Sequence, residues 1–495
     1  MKNGDASIVE GDELPKGWAT ARVEQVIEDF QPGFASGEKN VEGGVAHLRM
    51  NNIGLDGELV LDLLRTVPEK LAKSRHDLCR GDVLVCTTNS GKLVGKCAFF
   101  DLPGRYVFSN HLTRLRPNDA LVDGRFLRWS LWLQWRSGAF DDQCKHWVNQ
   151  STLPKDALLE SEMPLPPLPE QRRIMAKLEM LLGKVDASQR RLAKIPRLLK
   201  RFRQSVLAAA CSGRLTADWR RQNPTVETGD VLLGRIREKR LALAQTKKEK
   251  AQIEEVFDEA NLRIDEGDRN EIPDTWIHCR VGAVGTVCNG STPSRTRPEF
   301  WGGEIPWVSS GQVRNNVIAE TRERITKAGY ESSSVRLLPP GTVLLAMIGE
   351  GKTRGQTAIL NIEATINQNI AAVVLEHGLV SSEFLWRWFQ LQYEATRERG
   401  SGSGPQALNC QRVREIPFVL PPLTEQQEIV RRVEQFFTFA DQLEARFAKA
   451  QVHVDKLTQS LLAKAFRGEL VPQDPNDEPA SALLERIGRC AAGKR

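Results

Sequence analysis

The sequence repeats itself, and each copy closes on the same signature. Leu165-Pro166-Pro167-Leu168-Pro169-Glu170-Gln171 returns as Leu420-Pro421-Pro422-Leu423-Thr424-Glu425-Gln426, an offset of 255. At that offset Gln204-Ser205-Val206-Leu207-Ala208 matches Gln459-Ser460-Leu461-Leu462-Ala463, and Gly213 matches Gly468, with no gap. Such self-similarity sets the architecture before any local reading. Between these landmarks Ile174, Leu178, Leu181, Val185, Ser188, Leu192, Ile195, Leu199, Phe202, Val206 and Ala209 alternate steps of four and three. Their counterparts are Ile429, Val433, Phe436, Ala440, Leu443, Phe447, Ala450, Val454, Leu457, Leu461 and Lys464. Only Ser188 and Lys464 break the apolar pattern, so both stretches have the heptad seam of a coiled coil. Pro169 and Thr424 suit a helix start, Glu170 and Glu425 favour its positive end, and Gly213 and Gly468 supply the stop. Pro196, with Gln451 as its counterpart, should kink or split the first helix.

The segments before these helices also correspond. Leu14-Pro15-Lys16-Gly17-Trp18 returns as Ile272-Pro273-Asp274-Thr275-Trp276, Gly81-Asp82-Val83-Leu84 as Gly341-Thr342-Val343-Leu344, and Phe126-Leu127 as Phe384-Leu385. Short valine-rich runs read as strands. Trp129 and Trp132, like Trp386 and Phe389, share one helical face and read as core. The expectation is an α+β chain of two related globules and two long helices. Residues 1–168 hold the first globule, 169–215 the first helix and 216–271 a charged helical connector. Residues 272–423 hold the second globule, 424–468 the second helix, and 469–495 a tail echoing the connector.

Composition narrows the class. There are 69 Lys and Arg against 63 Asp and Glu, a net charge of +6 that alone says little about partners. Residues 172–203 hold eleven basic residues against Glu179 and Asp186, most simply a solvated helix face. No apolar run approaches a membrane span, and Met1 to Gly17 lacks the pattern of a secretory signal. The nine cysteines form no CxxC pair and suit reduced thiols; the seven histidines are scattered without metal-ligand spacing. Ala346-Met347-Ile348-Gly349-Glu350-Gly351-Lys352-Thr353 resembles a Walker A loop with Ala for the first Gly. A phosphate loop needs a helix after Lys-Thr, whereas Thr357-Ala358-Ile359-Leu360 reads as a strand, so a turn is expected. No glycine-rich S-adenosylmethionine loop or Asn-Pro-Pro-Tyr-like motif is present, and no catalytic residue is assigned.

Two globules, each leading through Leu-Pro-Pro-Leu-x-Glu-Gln into a long helix that ends Gln-Ser-x-Leu-x-x-x-x-x-Gly, resemble the specificity subunits of Type I restriction-modification systems. The resemblance covers nearly the whole chain. It implies two pseudo-twofold-related target-recognition domains separated by two antiparallel helices, and a non-catalytic, cytoplasmic, prokaryotic protein that reads a bipartite site on double-stranded DNA. It also implies two modification subunits that methylate adenine with S-adenosylmethionine. Two motor-nuclease subunits using ATP and magnesium can join them; this chain binds no cofactor itself.

For DNA contacts, polar residues at matching positions are the candidates. In the first globule these are Arg49, Asn51, Asn52, Lys92, Lys96, Asn110, His111, Lys145 and Gln150. In the second they are Ser309, Gln312, Arg314, Lys352, Arg354, Gln356 and Gln406. Arg, Asn and Gln suit base edges and Lys suits phosphate. A free-standing DNA-binding protein, a coiled-coil scaffold and a nucleotide hydrolase remain alternatives.

Overall fold

The structure is a computed structural model that describes residues 13–148, 150–262, 264, 271–349, 352–375, 378–398 and 408–492. It divides into two compact units: one made of two separate segments, residues 1–193 with 449–495, and one continuous, residues 194–448. Each unit therefore takes the start of one long helix and the end of the other.

Both units are α+β and share a strand plan. In the first, the strand Ala19–Arg22 pairs antiparallel with Glu162–Leu165, so the globule's first and last strands are clasped. Ile277–Arg280 and Pro417–Leu420 make the same clasp in the second. The main sheet of the first unit runs in the order Ile27–Pro32, Leu112–Pro117, Val83–Cys86, Cys97–Phe99. That of the second runs Thr286–Asn289, Ile370–Val374, Val343–Ala346, Thr357–Leu360, with Asn316–Ile318 added at the edge. A smaller sheet in each contains one parallel pair, Val45–Leu48 with Tyr106–Phe108 and Trp301–Val308 with Thr365–Ile366. The valine-rich strands are buried on both faces, which explains their continuous apolar sequence.

The aromatic helices Gly124–Ser137 and Ser382–Leu391 start from the side-chain caps of Asp123 and Ser381. Phe126, Trp132, Phe384, Trp386 and Phe389 are buried, so both helices serve the core.

The first long helix runs Leu168–Leu192, turns at Ala193 and Lys194, and resumes as Ile195–Cys211 with Pro196 near its new start. Proline removes the N–H that Leu192 would use, and its fixed φ suits a first turn. The second, Leu423–Phe466, is continuous over 44 residues, about 66 Å at 1.5 Å per residue.

Within each unit the helices pack antiparallel. Gln189 donates to Asp455 in the first unit, where Ile174, Leu178, Leu462 and Phe466 share a core. Arg203 reaches Asp441 and Glu444 in the second, where Val206, Leu207, Ile429 and Val433 do the same. Ile174, Leu178, Val185, Leu199, Val206, Ile429 and Val433 of the seam are buried. Leu181, Leu192, Ile195, Phe202, Leu443, Phe447, Val454, Leu457 and Leu461 are half-buried, and Phe436 is exposed beside Phe202. Two helices alone cannot enclose a seam; burial is complete only where a globule adds a third layer.

The repeated spacing of the helix-opening signature has a local cause. Gln171 accepts from the backbone N–H of Asp123 and donates to the carbonyls of Leu121 and Pro166. Gln426 likewise accepts from Ser381 and donates to Pro421. Each glutamine therefore ties its long helix to the start of an aromatic helix. Glu425, fully buried, accepts from the Trp276 indole, the Thr216 hydroxyl and Arg220. In the first unit Val471 stands where Thr216 does, and no basic residue lies between Gly468 and Arg486. Glu170 Oε1 there has no hydrogen-bond partner, and burial pushes its carboxyl up, against the nearby Trp18 indole and Arg173, which pull it down.

The connector and tail play one part twice. Helices Gly229–Leu243 and Ala480–Ala492 each dock on the opening turn of their own unit's globule, through Gly229 N–H to Thr275 and Ala480 N–H to Gly17. Each carries the same ion pair, Arg235 with Glu227 and Arg486 with Glu478. Gly213 and Gly468, both left-handed, press against Pro273 and Pro15, where a Cβ would collide.

Candidate nucleic-acid interface

In both units the parallel strand pair aims two adjacent loops out of the small sheet. Leu48 lies opposite Phe108, so Arg49-Met50-Asn51 emerges beside Ser109-Asn110-His111, and Ser109 N–H donates to Leu48. A third loop, residues 87–93, joins them through the N–H groups of Thr87 and Thr88, both donating to the His111 carbonyl. In the second unit Val308 lies opposite Ile366, so Ser309-Ser310-Gly311-Gln312 emerges beside Asn367-Gln368-Asn369. Met347 N–H reaches the Asn369 carbonyl as Thr87 reaches His111. Asn315, with φ of 55°, accepts from Thr357 N–H and binds the 309–316 loop to the main sheet.

These clasps gather most of the sequence candidates. Asn51, Lys92, Asn110, Lys145 and Gln150 are exposed, and Arg49 and His111 are half-buried. Arg49 donates to the Leu63 carbonyl, and burial, then Arg65, lowers its pKa. In the second unit Arg314 and Lys352 are exposed, and Ser309, Gln312 and Gln356 are half-buried. Gln312 Oε1 is buried without a partner. Gln406 lies outside the described residues.

Three candidates are corrected by their surroundings. Asn52 is fully buried, donating to the Val60 carbonyl and accepting from Arg49 N–H, so its amide is consumed by the turn it closes. Lys96 is 5% exposed and donates to the carbonyls of Met50 and Ile53; burial lowers its pKa. Arg354 is 8% exposed, and it and Arg397 each donate to the other's carbonyl. In all three cases the polar side chain is engaged by backbone carbonyls of neighbouring segments.

The Walker-like segment has no phosphate-binding geometry among its described residues. Residues 350 and 351 lie outside the description, a turn follows Lys352, and the strand Thr357–Leu360 comes next in place of a helix. No group of three or more His, Cys, Asp or Glu side chains that could hold a metal occurs among the described residues. Nor does any described helix have the length and apolarity to cross a membrane.

Sequence reasoning missed two features. Gln368 and Asn369 share the loop cluster, and the Gln368 side chain accepts from Thr292. In the first unit Lys145–His146 and Ser151–Thr152 form a hairpin on Thr88–Asn89 that carries Trp147, 70% exposed. An indole within Lys-His-Trp-Val was the available signal.

With this geometry established, comparison with known proteins is informative. The family described as the Type I restriction modification DNA specificity domain matches residues 273–452. The Type I restriction enzyme StySPI specificity subunit of Salmonella potsdam is 28% identical, over 96% of this chain and 95% of its own length. The EcoBI specificity subunit of Escherichia coli is 30% identical over 70% of this chain and 68% of its own. The HsdS subunit from Thermoanaerobacter tengcongensis has the same fold, with a TM-score of 0.58 at 19% identity over 93% of this chain and 99% of that one.

Proposed function

Because the chain belongs to the family of Type I restriction-modification specificity subunits, we propose that each of its two units reads one half of an asymmetric, bipartite DNA site. The chain is a DNA sequence-specificity subunit and a non-catalytic member of its system.

One observation carries the half-site reading: the same strand ends present different chemistry in the two units. Arg49-Met50-Asn51 faces the role that Ser309-Ser310-Gly311-Gln312 fills in the other, and Ser109-Asn110-His111 corresponds to Asn367-Gln368-Asn369. A shared scaffold with unlike hydrogen-bonding groups reads unlike base sequences. Within this reading Asn51, Asn110, Gln150, Gln312 and Gln356 address base edges. Lys92, Lys145, Arg314 and Lys352 address phosphate.

The long helices set the distance between half-sites and dock two modification subunits, which supply S-adenosylmethionine and methylate adenine. Motor-nuclease subunits, when bound, bring ATP and magnesium. Support for docking comes from the exposed apolar side chains Met180, Leu198, Phe439 and Val452 on the helices.

The test is a domain exchange. Residues 14–164 are replaced by the corresponding segment of a relative, the chain is expressed with its modification subunit, and the methylome is sequenced. One half of the methylated motif changes and the other half stays. An unchanged motif refutes the assignment, and methylation without this chain refutes the partnership.

A further inference from the structure

The hairpin formed by Lys145–His146 and Ser151–Thr152 has a feature that phosphate and base-edge contacts do not account for. Its strands pair Lys145 with Thr152 and His146 with Ser151, and the His146 ring hydrogen-bonds the Ser151 hydroxyl at 2.8 Å. Trp147 N–H donates to the Gln150 carbonyl at 2.7 Å and closes the turn. The second strand pairs onward with Thr88–Asn89, and Leu153 N–H donates to the Thr87 carbonyl. The hairpin is thus fixed to the loop that holds His111, inside the candidate interface.

At its tip stand Trp147, 70% exposed, and Val148, 99% exposed. The other tryptophans of this unit, Trp18, Trp129, Trp132 and Trp135, are buried or packed against its core. An adjacent pair of large apolar side chains at a pinned turn is costly to leave in water. Lys145 on the hairpin's first strand and Lys92 in the turn that follows Thr88–Asn89 are both exposed and basic, complementary to a polyanion. The surroundings match duplex DNA as the occupant: cations for phosphate beside an apolar tip for the stack.

We propose that Trp147 and Val148 form a wedge that inserts between neighbouring base pairs of the half-site read by the first unit, unstacking one step. Apolar wedges of this kind open base steps and kink the duplex, and an indole stacks on any base. The wedge makes this half-site sensitive to the deformability of a base step as well as to hydrogen bonding. The proposal rests on the reading of residues 14–164 as a DNA-binding unit.

The experiment uses the full chain assembled with its modification subunits and a duplex carrying the motif found by methylome sequencing. 2-Aminopurine is placed at successive positions of the first half-site. Binding of the unaltered complex raises its fluorescence at one step. Trp147→Ala abolishes that rise and weakens specific binding by roughly ten- to hundredfold, while Trp147→Phe keeps most of both. Because the indole is uncharged, the slope of affinity against salt is unchanged by Trp147→Ala, whereas Lys92→Ala and Lys145→Ala each lower it by about 1. Loss of affinity without loss of the fluorescence rise means surface contact and overturns the wedge, as does no effect of Trp147→Ala. If the lysine variants also leave the slope unchanged, the DNA-binding reading of the unit fails; if they lower it, only the wedge does.

Discussion

Glu425→Gln and Glu170→Gln are the same substitution at equivalent places of the repeat, and the structure assigns them opposite outcomes. Glu425 accepts three hydrogen bonds, at 2.6 Å from Thr216, 2.8 Å from Trp276, and from Arg220. Glutamine keeps the shape but turns one acceptor into a donor, which then faces the indole N–H or the Thr216 and Arg220 pair. Arg220 loses its counter-ion. Breaking a buried pair by removing one partner costs about 3–5 kcal/mol, and hydrogen bonds to charged groups contribute about 1.5–3 kcal/mol. The Arg220 side chain is 18% exposed and keeps its bond to the Gly213 carbonyl, so the low end applies, about 3 kcal/mol. Glu170 has the nearby Trp18 indole but no counterpart of Thr216 or Arg220, its Oε1 is unpartnered, and burial raises its pKa. Removing its charge should change stability by less than about 1 kcal/mol, or increase it.

The pH dependence follows. A carboxyl whose native pKa is raised favours the protonated native state, so its contribution is greatest below the unfolded value of about 4.3 and is lost as pH rises through the native value. Glu170→Gln should flatten that decline. Native-state hydrogen exchange resolves the two helix starts, residues 168–178 and 423–433, and reports each local opening free energy. Equal losses at the two sites, or a larger loss for Glu170→Gln, would refute the account.

Three further outcomes are expected. Pro196→Ala should change stability by less than about 1 kcal/mol, because the proline already sits at a helix start, whereas Gln451→Pro, in the continuous helix, should cost about 3 kcal/mol or more; circular dichroism melts compare them. Lys96→Ala should destabilise the first unit by about 2 kcal/mol and leave the salt slope of DNA binding unchanged, since its ammonium serves two carbonyls; urea melts and salt titrations of binding separate the effects. Cys97, buried with its thiol pushed up to about 12, should resist alkylation at pH 8 in the folded protein while exposed Cys79 reacts, as peptide mapping would show.

Much of the candidate site's placement is readable from sequence because its scaffold repeats. Position in the copies, taken with residue type, pointed to Asn51, Lys92, Asn110 and Lys145, which the loops do bring to the surface together. Asn52, Lys96 and Arg354 have the same polar character, but a polar side chain near a loop can be spent on neighbouring backbone carbonyls, and only packing shows which. Trp147 misleads in the other direction. Indoles are usually core, and the polar Lys145-His146 before it is only a weak local sign; its exposure is seen once the short pairing of Lys145–His146 with Ser151–Thr152 leaves it beyond the strand.

By itself the sequence determined what depends on local spacing: the doubled helix, its seam, the interruption at Pro196, and the strands that alternate with turns. Tertiary structure alone decided how these pieces are shared. The start of each long helix lies with its own globule, while its end, and the connector or tail after it, completes the other unit. Heptads specify an apolar stripe but not what covers it. That choice is made by contacts more than a hundred residues apart in sequence, such as Trp276 with Glu425 and Arg173 with Asp477, whose partners no local period relates.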